Sequence, residues 1–157
     1  MKAAEKYIKF ISEKISYLIP VMAILMTIVV IARYFFGIGM TGAQELVMYF
    51  HAIVFLGCAG YAFNKDEHVR VDIFYRNSSQ RYKNIVDFTL GILFLMPFTF
   101  FVFYYSLDLI IMSWNIREIS TEAGGLPYVY IQKTLIVLFP ITLFISLLIH
   151  LYQIIWK

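Results

Sequence analysis

Residues 46–63, from Leu46 to Phe63, read LVMYFHAIVFLGCAGYAF, a run without a single Asp, Glu, Lys or Arg. A hydrocarbon layer about 30 Å thick is crossed by roughly 20 apolar residues at about 1.5 Å of rise each, so a run of this length and character predicts a membrane-spanning helix. Three more charge-free windows have the same quality, Ile15 to Ala32, Phe88 to Leu107 and Thr134 to Ile149, and no fifth is found. With 61% hydrophobic, 18% aromatic and only 15% charged residues among 157, the chain is more apolar than a soluble core of this size requires. The sequence therefore predicts an all-α integral membrane protein with spans near residues 17–35, 45–63, 86–112 and 128–156.

What remains is short connections and an N-terminal segment, too little for a separate soluble core, so residues 1–157 are expected to form a single transmembrane domain. Cys58 is the only cysteine, which excludes an intrachain disulfide, a CxxC redox pair and a thiolate cage. Ten of the Lys and Arg residues fall in the N-terminal segment (Lys2, Lys6, Lys9, Lys14), the second connection (Lys65, Arg70, Arg76, Arg81, Lys83) and the C-terminus (Lys157). Only Arg33, Arg117 and Lys133 lie in the first and third connections. Because short basic loops stay on the cytoplasmic side, both termini are predicted to be cytoplasmic. The same bias accounts for the net charge of +3 without nucleic acid.

Residues 1–16 place Ala4, Ile8, Ile11 and Ile15 on one helical face and Lys2, Lys6, Lys9 and Glu13 on another. This basic amphipathic pattern predicts an N-terminal helix lying in the interface, set off from the first span by a bend near Pro20. A straight extension of the first span is the competing reading. No small-x-small site follows Ile31, so the first window is expected to remain as a span rather than be cleaved as a signal peptide.

In the first connection, GIGMTGAQE from Gly37 to Glu45, Thr41 and Gln44 have capping-box spacing, and Glu45 opens the second span where the helix dipole favours an anion. Arg33 ends the preceding helix and is placed either to cap it or to pair with Glu45. Gly57, Cys58, Ala59, Gly60 and Ala62 strip bulk from one section of span two, and small residues let another helix approach closely in lipid. The approaching helix belongs either to this chain or to a partner subunit. Pro97 and Pro140 are read as kinks that shape spans three and four, with Asp87 and Asp108 at the two ends of span three.

Several chemistries are set aside. His51 and His150 stand about 15 Å apart in depth by helical rise, too far to share one haem iron. His51 is expected instead to make a helix-packing hydrogen bond. A proton-coupled four-helix transporter, the alternative reading beside a membrane assembly factor, would need a membrane-embedded carboxylate, and spans one and two hold none. An intramembrane oxidoreductase or protease lacks its cysteines or a mid-depth catalytic pair. His68, Arg70 and Asp72 alternate with Val69, Val71 and Ile73 in the second connection and read as a solvated loop rather than a metal site. No cofactor is expected.

Three stretches together resemble one family, the DctQ-like small subunits of tripartite ATP-independent periplasmic (TRAP) transporters. They are Arg33-Tyr34 followed by Glu45, GYAFNKDEHVRVDIFY from Gly60 to Tyr75, which carries His68, Arg70 and Asp72, and SWNIREISTEAGGLPYVYIQKTLI from Ser113 to Ile136. The family often has Trp or a second acidic residue just before the Glu of span two, where this chain has Ala43 and Gln44. The resemblance implies a small permease subunit in a bacterial inner membrane, with no transport site of its own. It would extend the fixed scaffold of a large elevator-type membrane subunit, in a sodium-coupled system whose periplasmic binding protein captures an organic acid. Large-subunit packing would then fall to Gly57, Cys58, Gly60 and Ala62. The third connection, with Trp114 at headgroup level and Arg117, Glu118, Glu122, Gly124, Gly125 and Pro127 forming a polar turn, is where the binding protein is expected to dock.

Overall fold

The computed structural model describes residues 2–65 and 78–156, with side chains from Glu5 onward. Among these residues every regular element is a helix: α1 (Lys2–Ser16), α2 (Leu18–Phe36), α3 (Thr41–Asn64), α4 (Gln80–Leu90), a π-helical turn (Gly91–Leu95), α5 (Met96–Asn115), α6 (Val129–Thr134), a 3₁₀ turn (Leu135–Val137) and α7 (Leu138–Ile155). Four continuous helical stretches are long and apolar enough to cross a membrane, Glu5–Phe36, Thr41–Asn64, Gln80–Asn115 and Val129–Ile155.

The spans pack as an open row. α2 packs on α3, α3 on α7 in the most extensive contact of the molecule, and α7 on α5, while α2 and α5 at the two ends do not pack on each other. A four-residue connection makes α2 and α3 antiparallel neighbours, as short loops do. The α3–α7 contact is close because Gly60 has no side chain. A Cβ there would lie 2.6 Å from both the Thr142 carbonyl carbon and Ser146 Oγ. Thr142 Oγ1 donates across to the Leu56 carbonyl at 3.3 Å, and Asn64 Nδ2 donates to Ser146 Oγ at 3.2 Å. Ser146 and Leu147 are completely buried.

The N-terminal break falls at Tyr17 rather than Pro20, because proline at the third position of α2 has no N–H to offer the Ser16 carbonyl one turn back. α1 then runs alongside the last turns of α3. Ile15 Cδ1 covers Gly57, and Cys58 Sγ lies 3.8 Å from the Ser12 carbonyl oxygen. At its far end α1 reaches α7, where Gln153 Nε2 donates to Glu5 Oε1.

Two further expectations change form. Thr41 is the first residue of α3 rather than its cap; Met40 occupies the cap position with no side-chain bond, and Gln44 N–H donates to the Met40 carbonyl at 3.1 Å. Pro97 follows directly on a π-helical turn in span three, where Met96 N–H reaches back five residues to the Gly91 carbonyl. That span runs Gln80–Asn115, about 54 Å at 1.5 Å per residue, so it extends beyond the predicted 86–112 at both ends. Ser79 opens it by accepting from Tyr82 N–H at 3.4 Å. Asp108, placed by sequence at the end of span three, therefore lies about two turns before the helix terminus.

Candidate functional site

Two clusters of polar contacts lie at the opposite ends of the helices. At the end holding the first and third connections, Glu45 in the first turns of α3 reaches into the loop after α5. Its Oε2 accepts from Leu126 N–H at 2.6 Å and its Oε1 accepts from the Ser120 hydroxyl. Ser120 N–H donates in turn to the Leu126 carbonyl at 3.2 Å, and Glu122 N–H donates to Ser120 Oγ at 3.1 Å. Gly125 has to be glycine in this knot, since a Cβ would stand 2.7 Å from Glu45 Oε1 and closer still to Ser120 Oγ. Gly124, at φ +75°, supplies the left-handed residue of the turn. The carboxylate thus pins the third connection to the start of the second span through charge-assisted bonds.

The same loop is fixed on its other side. α5 ends with paired bonds, Glu118 N–H to the Ser113 carbonyl at 3.0 Å and Arg117 N–H to the Trp114 carbonyl at 3.1 Å. This Schellman closure puts Arg117 at φ +46°, a left-handed conformation that glycine occupies more easily. Trp114 Nε1 donates to Thr134 Oγ1 at 2.8 Å, and its ring meets Tyr130 edge-on at 4.8 Å. Lys133 Nζ forms an ion pair with Glu118, and the ammonium holds the Glu118 carboxyl below the ordinary carboxylate range. Glu118 is therefore engaged within the chain rather than projecting free into water. Arg117, Glu122, Gly124 and Pro127 are exposed, and α6 begins two residues after Pro127.

At the opposite end, Glu5 with Gln153, Asn64 with Ser146, and His150 beside Asp87 at 3.8 Å tie α1, α3, α4 and α7 together. His150 also meets Phe63 edge-on at 5.7 Å.

The remaining predicted residues fall as follows. Arg33 is exposed in the last turn of α2 and has no ion pair among the described residues, so Glu45 bonds the third connection instead of Arg33. His51 makes no hydrogen bond among the described residues; it is exposed and stacks on Phe55 one turn along at 6.0 Å, which corrects the expected helix-packing bond. Gly57, Cys58 and Gly60, expected to meet a large subunit, are occupied by the chain's own α1 and α7, and Ala62 is half-buried. His68, Arg70 and Asp72 lie outside the described residues. Ser120 and Leu126 were not singled out as partners of Glu45. The only signal for them was an acidic residue at a span start and a Gly-Gly pair far along the chain.

Searches of curated proteins and of solved structures returned no match. A family model does match, over residues 22–156, the stretch that runs from α2 to the end of α7 and takes in both the Glu45 knot and the Gly-Gly loop. The chain belongs to the family of tripartite ATP-independent periplasmic transporters, DctQ component.

Proposed function

We propose that this small TRAP membrane subunit is the non-transporting scaffold partner of a large elevator-type membrane subunit, in sodium-coupled uptake of an organic acid across a bacterial inner membrane. The observation that carries the reading is the open row. Among the described residues, two of the three hydroxyls buried in span three turn back on their own helix. Thr99 Oγ1 donates to the Met96 carbonyl at 2.8 Å and Ser106 Oγ to the Phe103 carbonyl at 2.7 Å. A row that is closed at neither end leaves broad apolar surface for a second membrane protein. The 10 to 3 distribution of Lys and Arg supports cytoplasmic termini, which places the Glu45 knot and the exposed Arg117 and Glu122 on the periplasmic side, facing a binding protein.

The test is co-expression with a large TRAP subunit, purification through a tag on this chain, and sodium-driven uptake into proteoliposomes at several binding-protein concentrations. Both membrane subunits should co-purify and be required for uptake. Reversing Arg117 and Glu122 together should shift the binding-protein dependence while leaving the assembled pair intact. Uptake by this chain alone would overturn the scaffold reading.

A further inference from the structure

At the end of the helices opposite the Glu45 knot, a cavity of about 400 Å³ opens between α1, the last turn of α3 and α7, lined by Glu5, Lys6, Lys9, Tyr61, Asn64, Lys65, His150 and Gln153. Its character is that of a donor-rich, cationic bowl. Lys6, Lys9 and Lys65 stand exposed at its rim. The one carboxylate, Glu5, is already engaged by the Gln153 amide, and Asn64 by Ser146. Lys9 has a second acidic neighbour, Glu13, at 3.7 Å, but both side chains of that pair are more than half exposed, so water and salt weaken it. Lys6 and Lys65 have no carboxylate partner among the described residues; Lys65 Nζ lies only over the Tyr61 ring at 6.0 Å. Lys6, Lys9 and Lys65 all line this one cavity, so an anion held there would meet the field of all three.

The neighbouring surface says which anion. Tyr7 and Phe10 alternate with Lys6 and Lys9 on α1 and are 65% and 56% exposed, an aromatic and basic mixture suited to the headgroup layer. A free phosphate would leave those rings in water, whereas a lipid brings acyl chains to them. We propose that this cavity is a binding site for the phosphodiester headgroup of an anionic phospholipid, with Lys6 and Lys65 as its principal cations and Lys9 at its edge. The site is independent of the transport role, because it rests on the geometry of α1, α3 and α7 alone. It also gives α1 a reason to follow α3: the helix closes one wall of the bowl.

The test uses the full chain in a neutral detergent, with short-chain phosphatidylglycerol as the probe, and reads bound lipid by native mass spectrometry and thermal unfolding. Phosphatidylglycerol should bind and raise the unfolding temperature, and phosphatidylcholine or inorganic phosphate at the same concentrations should not. Each lysine near such a headgroup contributes about a fivefold gain, so the Lys6→Gln/Lys65→Gln double variant should bind phosphatidylglycerol roughly 25-fold more weakly. An Arg33→Gln/Arg117→Gln variant, which removes as much charge at the exposed opposite end of the spans, should bind as the unaltered chain does. Equal responses to phosphatidylglycerol and phosphatidylcholine, reproduction of the effect by inorganic phosphate, or unchanged affinity in the Lys6/Lys65 variant would each overturn the proposal.

Discussion

Replacing Gly60 with alanine is the sharpest probe of how the row is held together. The added Cβ would lie 2.6 Å from the Thr142 carbonyl carbon and from Ser146 Oγ, against roughly 3.5–4.0 Å for a relaxed carbon contact. The obstacle is largely backbone, so α3 and α7 have to separate by about 1 Å, and a gap of that size forfeits about a quarter to a half of each dispersion contact along the seam. Overpacking of this kind costs about 1–3 kcal/mol, which at roughly 2–4 °C per kcal/mol lowers the unfolding temperature by about 2–12 °C. Gly57→Ala is the internal control. Its Cβ meets only Ile15 Cδ1, at 3.0 Å, the far end of a flexible side chain. Alanine also gains about 1 kcal/mol of helix propensity over glycine, so this variant should be neutral or slightly stabilised. Thermal unfolding of the two purified variants in one detergent gives the comparison. A Gly60→Ala protein as stable as the unaltered chain, or less affected than Gly57→Ala, would refute the account of the α3–α7 seam.

Three other outcomes are expected. A reporter active only outside the cytoplasm should be silent when fused after Lys157 and active within residues 37–43; the reverse pattern would invert the topology. Glu45→Ala should leave Leu126 N–H and Ser120 without their acceptor and destabilise the third connection by about 1–3 kcal/mol, visible as faster proteolysis between residues 116 and 128, and an unchanged rate would remove Glu45 from its pinning role. The Glu118 carboxyl is held low by Lys133 in the folded chain, so its contribution is present above the unfolded value of about 4.3 and is lost as pH falls through the lower folded value. Loop stability should therefore decline on acidification in the unaltered chain, by a step that Glu118→Gln lacks, and identical pH profiles would show the pair to be energetically silent.

The spans were legible because bilayer thickness imposes a length on apolar runs, and that constraint is local in sequence. The ends of the helices were less so. Residues 80–84, QRYKN, are largely polar and extend span three back to the Ser79 cap, which hydropathy does not register. Glu45 was legible as an acidic helix start, but its partners lie 75 and 81 residues away, a separation that local spacing rules do not bridge. The glycines of α3 announced a close approach without naming what approaches, since a missing side chain records space rather than its occupant. For that reason the residues leave this chain and another subunit equally open as the source of the approaching helix, and at Gly57 and Gly60 α1 and α7 of the same chain fill the space. Pro97 signalled a break in the regular helix, but not its form, a π-helical turn that begins at Gly91 where Leu147 and Leu151 pack close.

The distribution of small residues also explains why the row stays open. In lipid no hydrophobic drive pushes helices together, so association follows where backbones can approach closely. α3 and α7 have such a place where Gly60 meets Thr142 and Ser146, and they form the centre. α5 offers only the buried line Thr99, Ser106 and Ser113, which it turns inward, Thr99 beside Pro140 of α7. Its remaining surface is bulky and exposed, with Phe101, Tyr104 and Tyr105 among it. α2 contains no glycine and buries only Val29. With no second close-packing face on either end helix, closing the row into a bundle would press bulky side chains against each other for little gain over lipid. The end helices keep apolar surface exposed, while polar contacts at both helix ends tie the centre together. A close-packed centre with loosely packed ends is what the proposed scaffold role would call for, and it follows here from where the small residues lie.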